Sequence, residues 1–257
     1  MGSFFSLLYG GVVYIAFVGT FLYAIGFVAN LGVPKSIDTG AAAPLPVALA
    51  VDLALLGLFA VQHSLMARRS FKRWWTRIVP AHLERSTFCL AATAALALLL
   101  WQWRPIPEPV IWNVANPAAV LVLRCVFFLG WVVLFTATFL INHFELFGLR
   151  QVWAYARGTD IPAPQFRTPF LYRYVRHPIY LGFVLAFWAA PVMTAGHLLF
   201  SVACTGYILV GIWFEERDLI AQFGDLYRLY RRQVAMLLPM PGASPSAIGE
   251  RRGQGRG

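Results

Sequence analysis

The chain has 257 residues, of which 59% are hydrophobic and only 12% are charged. Soluble domains carry about 25% charged residues, so this composition excludes an ordinary soluble domain and indicates a polytopic membrane protein. In such a protein a net charge of +10 is typical of basic loops on one side of the membrane and of contact with anionic lipid, rather than of nucleic-acid binding.

Five apolar segments follow one another along the chain. Four are each long enough to cross about 30 Å of hydrocarbon as one helix, and they cover about 8–29, 45–66, 86–103 and 118–141. The fifth, 179–214, is too long for one crossing and is interrupted by Pro191 and Gly196. We therefore predict an all-α fold of four transmembrane helices followed by a helical hairpin, five to six spans in all. The first segment lacks the basic start and cleavage site of a signal peptide, so we expect it to be a retained helix.

Basic residues are distributed unevenly between the loops. Six arginines and lysines lie in 67–85, five in 142–178 and seven after 214, whereas 30–44 and 104–117 hold one each. By the positive-inside rule, the basic loops and both termini face the cytoplasm of a bacterial inner membrane. An even number of crossings must then follow residue 142, which again predicts a hairpin.

The predicted organisation has three parts. Residues 1–141 form the N-terminal transmembrane region. Residues 142–239 form a C-terminal region with a cytoplasmic loop, the hairpin and an amphipathic helix over 215–235, whose apolar stripe has helical spacing. Residues 240–257 are rich in Gly, Ser, Pro and Arg, which predicts a disordered basic tail.

Four polar clusters are predicted to meet at the cytoplasmic face, namely His63, Asn142-His143-Glu145, Arg176-His177-Tyr180 and Glu215-Glu216. Ionisable groups at the edge of a membrane are costly and indicate a functional site. The acids suit an ammonium group and the Arg and His residues suit a carboxylate, so the clusters predict a cytoplasm-facing pocket for a ligand with an α-amino acid end.

Common soluble cofactor and metal motifs are missing from the chain. The sequence contains no GxGxxG after a strand, no GxxxxGK[ST], no CxxC and no HExxH, so we expect no Rossmann domain. Three scattered cysteines, Cys89, Cys125 and Cys204, form neither a disulfide framework nor a metal cluster. No metal site is expected.

Two blocks of sequence carry a resemblance. "RHPIYLG" (176–182), followed by "EERDLIAQFGDLYRLYRRQVAMLLP" (215–239), resembles the signature of the isoprenylcysteine carboxyl methyltransferase and phospholipid methyltransferase (NnrU-like) superfamily. Its members are integral membrane enzymes that use S-adenosylmethionine without a Rossmann domain. "NHFELFGLRQVW", "FRTPFLYRYVRHPIYLGF" and "PVMTAGHLLF" are further similar to the bacterial methanethiol S-methyltransferase family. These motifs lie between residues 142 and 239.

The resemblance implies methylation of methanethiol, and of other small thiols or selenols, to dimethyl sulfide, with S-adenosyl-L-homocysteine as the second product. It implies a cofactor pocket that is lined by Tyr174, Arg176, His177, Pro178, Tyr180, Gly182, Glu215 and Glu216 and closed by Tyr227, Tyr230 and Arg231. The amino group of the cofactor is expected at the paired acids. Small thiol and membrane lipid are the expected partners, with no nucleic acid and no obligate protein partner.

In-line transfer to sulfur requires a thiolate, so a proton acceptor is expected. The first candidates are His143 and Glu145, with His63 next and Asn142 as an orienting group.

Three alternatives stay open. One is a prenylcysteine carboxyl or phospholipid amine methyltransferase of the same architecture, which needs a wide lipid-facing tunnel; bulky residues near the site favour a smaller cavity, and the candidates are Phe139, Phe144, Phe147 and Trp153. Membrane sterol reductases share a related C-terminal pattern with a nicotinamide cofactor, but Glu215-Glu216 fits a methyltransferase better. A non-catalytic transporter or assembly factor is an alternative of another class, and it predicts no cofactor binding.

Overall fold

The computed structural model describes residues 2–161 and 165–239, so the predicted basic tail at 240–257 lies outside the described residues. The described parts form ten α-helices: α1 (Ser3–Ala29), α2 (Leu45–Ala67), α3 (Arg69–Trp75), α4 (Ala81–Gln102), α5 (Pro117–Ile141), α6 (His143–Leu146), α7 (Leu149–Arg157), α8 (Pro178–Trp188), α9 (Ala195–Phe223) and α10 (Asp225–Gln233). Two short strands, β1 (Val110–Asn113) and β2 (Val192–Thr194), pair antiparallel.

Five helices, α1, α2, α4, α5 and α9, are long and apolar enough to cross a membrane. The prediction of an all-α polytopic membrane protein is therefore confirmed. The hairpin has two unequal arms. Its first arm, α8, has only 11 residues, or about 16 Å, which is roughly half the thickness of the hydrocarbon core.

The second arm runs further than the sequence predicts. An amphipathic helix was expected over 215–235, but α9 continues through Glu215 to Phe223 without a break. The residues from Glu215 to Phe223 are mostly good helix formers, so nothing ends the helix at the point where apolar residues give way to charged ones. Gly224, with φ 60°, is the first residue that readily takes a left-handed φ, and α10 begins directly after it.

Two glycines allow α5 and α8 to pack backbone against backbone. A Cβ atom added at Gly182 would lie 2.5 Å from the carbonyl oxygen of Gly130, and one added at Gly130 would lie 2.6 Å from that of Gly182. Close approach at small residues is the usual way for helices to associate in a membrane. Beside this contact, Trp131 of α5 meets Phe183 of α8 edge to face in the main apolar core.

The two ends of the bundle differ. At one end, which we call the basic end, α2 finishes, α4 begins and α9 carries Glu215 and Glu216. The opposite end is closed by the 30–39 loop, where the indole N–H of Trp103 donates to the carbonyl of Ile37 at 3.0 Å and Thr194 donates to Asp38 at 2.5 Å. The β1–β2 pair joins the turn of the hairpin to the loop before α5.

Candidate active site

Arg176 ties three parts of the chain together at the basic end. Its Nε donates to Glu216 Oε1 of α9 at 2.8 Å, and its Nη1 donates to the carbonyls of Arg231 at 3.0 Å and Val234 at 2.5 Å. Pro178 then begins α8, as expected for a residue that has a fixed φ and no N–H to satisfy. The Arg-His-Pro stretch is thus both a helix start and a clamp on α9 and α10.

His177 and Arg231 complete this arrangement. His177 Nε2 lies 3.2 Å from Glu216 Oε1, and its Nδ1 lies 3.7 Å from Glu215 Oε2. The Nε of Arg231 lies 3.3 Å from Glu216 Oε2. We call these five residues, Arg176 included, the ion-pair cluster. The structure therefore brings the predicted Arg176-His177 and Glu215-Glu216 pairs together.

The members of the ion-pair cluster differ in exposure. The side chains of Glu216 and Arg176 are only 9% and 10% exposed, and Glu216 is engaged by three cationic or imidazole partners. Glu215 and Arg231 are 44% and 52% exposed. An acid and a base therefore present accessible groups of opposite sign on a fixed, buried support. That pattern suits a zwitterionic ligand.

Tyrosines surround the ion-pair cluster. Tyr230 donates to the carbonyl of Tyr172 at 2.6 Å, and Tyr172 donates to the carbonyl of Ala137 in α5 at 3.4 Å. Burial raises the pKa of Tyr172, Tyr227 and Tyr230 well above the ordinary value for a phenol, so all three are neutral at physiological pH. The hydroxyl of Tyr227 is buried and has no hydrogen-bond partner among the described side chains and backbone, which leaves it available to a ligand.

Three further residues predicted to line the pocket lie in different surroundings. Tyr174 has a half-exposed side chain, and Pro178 is buried at the start of α8. Gly182 is packed against α5, and that contact accounts for the glycine. Tyr180 instead points toward α9, where it interacts with Glu215 and Tyr207.

His143 lies between α1 and α5. Thr138 donates its only hydroxyl hydrogen to the carbonyl of Phe135 at 2.7 Å, so at 2.9 Å its oxygen accepts from His143 Nδ1. Nε2 of the neutral ring then accepts from the Tyr14 hydroxyl at 2.8 Å. Burial lowers the pKa of His143, which favours this neutral form, and Phe139 stacks on the ring at 4.2 Å. Both ring nitrogens are occupied.

Asn142 and Glu145 are joined to Arg150 rather than to the ion-pair cluster. The Glu145 carboxylate accepts from Asn142 at 2.6 Å and from Arg150 at 2.5 Å, which fixes the short α6 turn to α7. A surface groove of about 410 Å³ lies beside this pair, lined by Leu7, Asn142, Phe144, Leu149, Arg150, Val152 and Trp153. The carboxylate of Glu145 is thus already paired with Arg150, and within the described ranges no cluster of His, Cys, Asp and Glu is arranged to hold a metal ion.

His63 lies between α2, α4 and α9. Its ring contacts Phe59 at 5.5 Å, Phe88 at 4.9 Å and Tyr207 at 6.5 Å between centroids. Its Nδ1 is buried and makes no hydrogen bond with any described residue. The Tyr207 hydroxyl lies 3.2 Å from Ser64 Oγ.

Tyr14 and Tyr207 were not predicted as site residues, because each lies inside an apolar run that contains other tyrosines and no charged residue. The spacing of Tyr207, four residues from Gly211 and eight from Glu215, was the only signal in the sequence that could have pointed to it.

Fold and site together define a polytopic membrane protein that holds a buried ion-pair cluster at one end of its helical bundle. No family model and no solved structure match the chain. Among curated proteins it is 57% identical over 241 residues to the methanethiol S-methyltransferase of Mycobacterium tuberculosis (strain ATCC 25618 / H37Rv), covering 94% of this chain and 98% of the relative. It is 50% identical over 238 residues to the methanethiol S-methyltransferase of Crocosphaera subtropica (strain ATCC 51142 / BH68), covering 93% of each chain.

The chain belongs to the methanethiol S-methyltransferase family, and it is a methyltransferase of the membrane. Nurim of Xenopus laevis is a more distant relative, 31% identical over 197 residues that cover 73% of this chain and 69% of Nurim. The superfamily and the enzyme class predicted from the sequence motifs are confirmed.

Proposed function

We propose that the protein transfers a methyl group from S-adenosylmethionine to methanethiol, forming dimethyl sulfide and S-adenosylhomocysteine. The observation that carries this proposal is the ion-pair cluster with its accessible Glu215 and Arg231, in a chain whose relatives are named methanethiol S-methyltransferases. We further propose that the basic end faces the cytoplasm of a bacterial inner membrane, because the basic loops gather there.

The residues at the basic end fit the methyl donor. Glu215 is assigned to its ammonium group and Arg231 to its carboxylate, because both are accessible while Glu216 and Arg176 neutralise each other. The hydroxyl of Tyr227, which has no partner among the described residues, supplies one more hydrogen-bond donor. Removing either exposed charge leaves the buried pair in place, so ligand binding and folding are separable here.

S-adenosylmethionine, when bound, supplies a methyl group on a positively charged sulfur, and its transfer to the thiol sulfur releases one proton. Of the predicted proton acceptors, His143 has both ring nitrogens hydrogen-bonded, and Glu145 is paired with Arg150. His63 has a buried ring nitrogen with no partner among the described residues. We therefore assign to His63 the role of accepting the proton that the thiol releases.

The bulky residues predicted near the site do not decide the size of the acceptor. Phe139, Phe144 and Phe147 contact the ring of His143, and Phe139, Phe144 and Trp153 are at least half-exposed. The preference for a small thiol over a prenyl or acyl chain is therefore supported by the names of the relatives.

The test is headspace gas analysis of purified protein with S-adenosylmethionine, isotopically labelled in its methyl group, and methanethiol. We expect labelled dimethyl sulfide, and we expect Glu215→Gln to lower its formation. Glu108→Gln, at an exposed acid of the opposite end, is the matched control and retains wild-type output. If S-adenosylhomocysteine binds but no dimethyl sulfide forms, the assigned acceptor is wrong, and a prenylcysteine and a phospholipid amine are the substrates to compare.

A further inference from the structure

One face of α9 carries three residues at successive turns. Tyr207, Gly211 and Glu215 are spaced by four positions, so they lie above one another along the helix, with about 5.4 Å between turns. Glu215 belongs to the ion-pair cluster, and Gly211 and Tyr207 lie progressively deeper in the bundle. A ligand anchored at Glu215 therefore meets Gly211 first and Tyr207 beyond it.

Gly211 leaves a small space opposite α8. The nearest atom to a Cβ added at this glycine is the Tyr180 hydroxyl, 4.0 Å away. A methyl group fits at that distance, but a larger side chain would fill the gap between the two helices. At Gly206, on the same helix, an added Cβ meets no described atom within 4 Å, so the two glycines differ in whether α8 lies opposite them.

Tyr207, one turn beyond Gly211, connects this space to polar side chains of α2. Tyr207 is hydrogen-bonded to Ser64 of α2, and the ring of His63 is enclosed by Phe59, Phe88 and Tyr207. His63 Nδ1 is buried without a partner in the described part of the chain, at a cost that a bound ligand with a hydrogen to donate would remove.

We propose that the space between Tyr180, Gly211 and Tyr207 is the binding site for the methyl acceptor, a small apolar thiol, and that Gly211 limits the size of that thiol. The proposal rests on the proposed function and names the residues that would select the methyl acceptor. The thiol S–H proton passes to His63 Nδ1, and the electron pair of the thiol sulfur forms the new C–S bond. The pair of the broken C–S bond stays on the sulfur of the donor. The Tyr207 hydroxyl is hydrogen-bonded to the acceptor sulfur as its charge develops.

Two equilibrium measurements test the site independently of turnover. Calorimetry gives the Kd of S-adenosylhomocysteine for the purified protein, and then the Kd of methanethiol for the protein loaded with S-adenosylhomocysteine. For Gly211→Val we expect methanethiol binding to weaken by about tenfold or more, which is the usual range for lost space in an apolar pocket. The affinity for S-adenosylhomocysteine should stay within about twofold, since RT ln 2 is well below the energy of one hydrogen bond.

Gly206→Val, on the same helix, is the matched control and should leave both affinities unchanged. Tyr207→Phe should weaken methanethiol binding by about fivefold to tenfold through the loss of one hydrogen bond. If Gly211→Val fails to fold, as judged by gel filtration, Gly211→Ala and Tyr207→Phe decide the question, with ethanethiol as the larger ligand for Gly211→Ala.

Unchanged methanethiol binding in Gly211→Val, or in both Gly211→Ala and Tyr207→Phe, overturns the proposal. An equal loss of affinity for methanethiol and for S-adenosylhomocysteine also overturns it. Headspace analysis of the unmodified protein is run beside these measurements. If that protein forms dimethyl sulfide while the variants bind methanethiol normally, only the acceptor site is wrong. If it forms none, the proposed function fails whatever the thiol affinities are.

Discussion

Arg176 and Glu216 lie 2.8 Å apart in a buried ion pair, although 40 positions of the chain separate them. The α8–α9 hairpin brings them together, because it leaves from the basic end and returns to it. The same guanidinium holds the carbonyls of Arg231 and Val234 at the end of α10. One side chain therefore joins the start of α8, the far part of α9 and the last helix.

Glu216→Gln should destabilise the protein. The substitution leaves two arginines beside a neutral amide in a mostly buried site, and removing one partner of such a pair costs about 3 kcal/mol. Thermal unfolding in mild detergent measures the loss. Asp225→Asn removes an exposed carboxylate that pairs with Arg228 and is the control, for which no measurable shift is expected. An unchanged melting temperature for Glu216→Gln would show that the pair does not support the fold.

Glu215→Gln should lower the affinity for the ligand and leave the stability unchanged. Its carboxylate is accessible, so the fold does not depend on it, but a ligand ammonium loses a charged partner. We expect the Kd of S-adenosylhomocysteine to rise about tenfold, which corresponds to the loss of one charge-assisted hydrogen bond, with an unaltered melting temperature. Calorimetric titration checks the first and thermal unfolding the second. An unchanged Kd would show that the ammonium group of the ligand does not bind at Glu215.

Gly182→Ala should reduce stability by about 1–3 kcal/mol, since the added methyl overpacks a backbone contact that cannot relax locally. The new Cβ would meet Gly130 of α5 at 2.5 Å. Gly57→Ala in α2 is the matched control, because an added Cβ there meets nothing within 4 Å. If Gly182→Ala instead lowers the affinity for S-adenosylhomocysteine with stability intact, this glycine belongs to the cofactor pocket rather than to the helix contact.

Tyr14→Phe should be milder than His143→Gln. Tyr14→Phe breaks only the hydrogen bond to His143 Nε2, so it should lower the free energy of unfolding by about 1 kcal/mol. His143→Gln loses that bond and the bond from Nδ1 to Thr138, so we expect about twice that loss. Unfolding curves in detergent provide the comparison. A fall in dimethyl sulfide formation for His143→Gln that exceeds its loss of folded protein would return the role of proton acceptor to His143.

Much of the fold could be predicted because its causes act over short stretches of sequence. Long apolar runs fix the spans, and the uneven distribution of arginine requires an even number of crossings after residue 142. The helix beyond Glu215 was misplaced because a change of polarity marks a membrane boundary and does not stop a helix. The short length of α8 and the β1–β2 pairing depend on contacts between distant segments, such as Gly130 with Gly182, which no local pattern reports.

The candidate site divides in the same way. Arg176, His177, Glu215 and Glu216 were predicted to meet, because charged residues at a membrane edge require partners. The order of the predicted proton acceptors could not be obtained from sequence. His143 and His63 both lie at the ends of apolar runs. Only the structure shows that His143 is hydrogen-bonded at both ring nitrogens, whereas Nδ1 of His63 has no partner among the described residues.

The shortness of α8 has a chemical consequence under the proposed function. This helix covers only about half of the hydrocarbon thickness. Gly182, close to the start of α8, lies level with Gly130, in the middle of α5, so the charged residues at the start of α8 lie deeper than the end of α5. The methyl donor is charged and dissolves in water, whereas the volatile acceptor dissolves in lipid. The two therefore favour opposite sides of the lipid boundary. A helix that stops halfway provides one point where both can be held, so the protein works as a phase-transfer catalyst built into the bilayer.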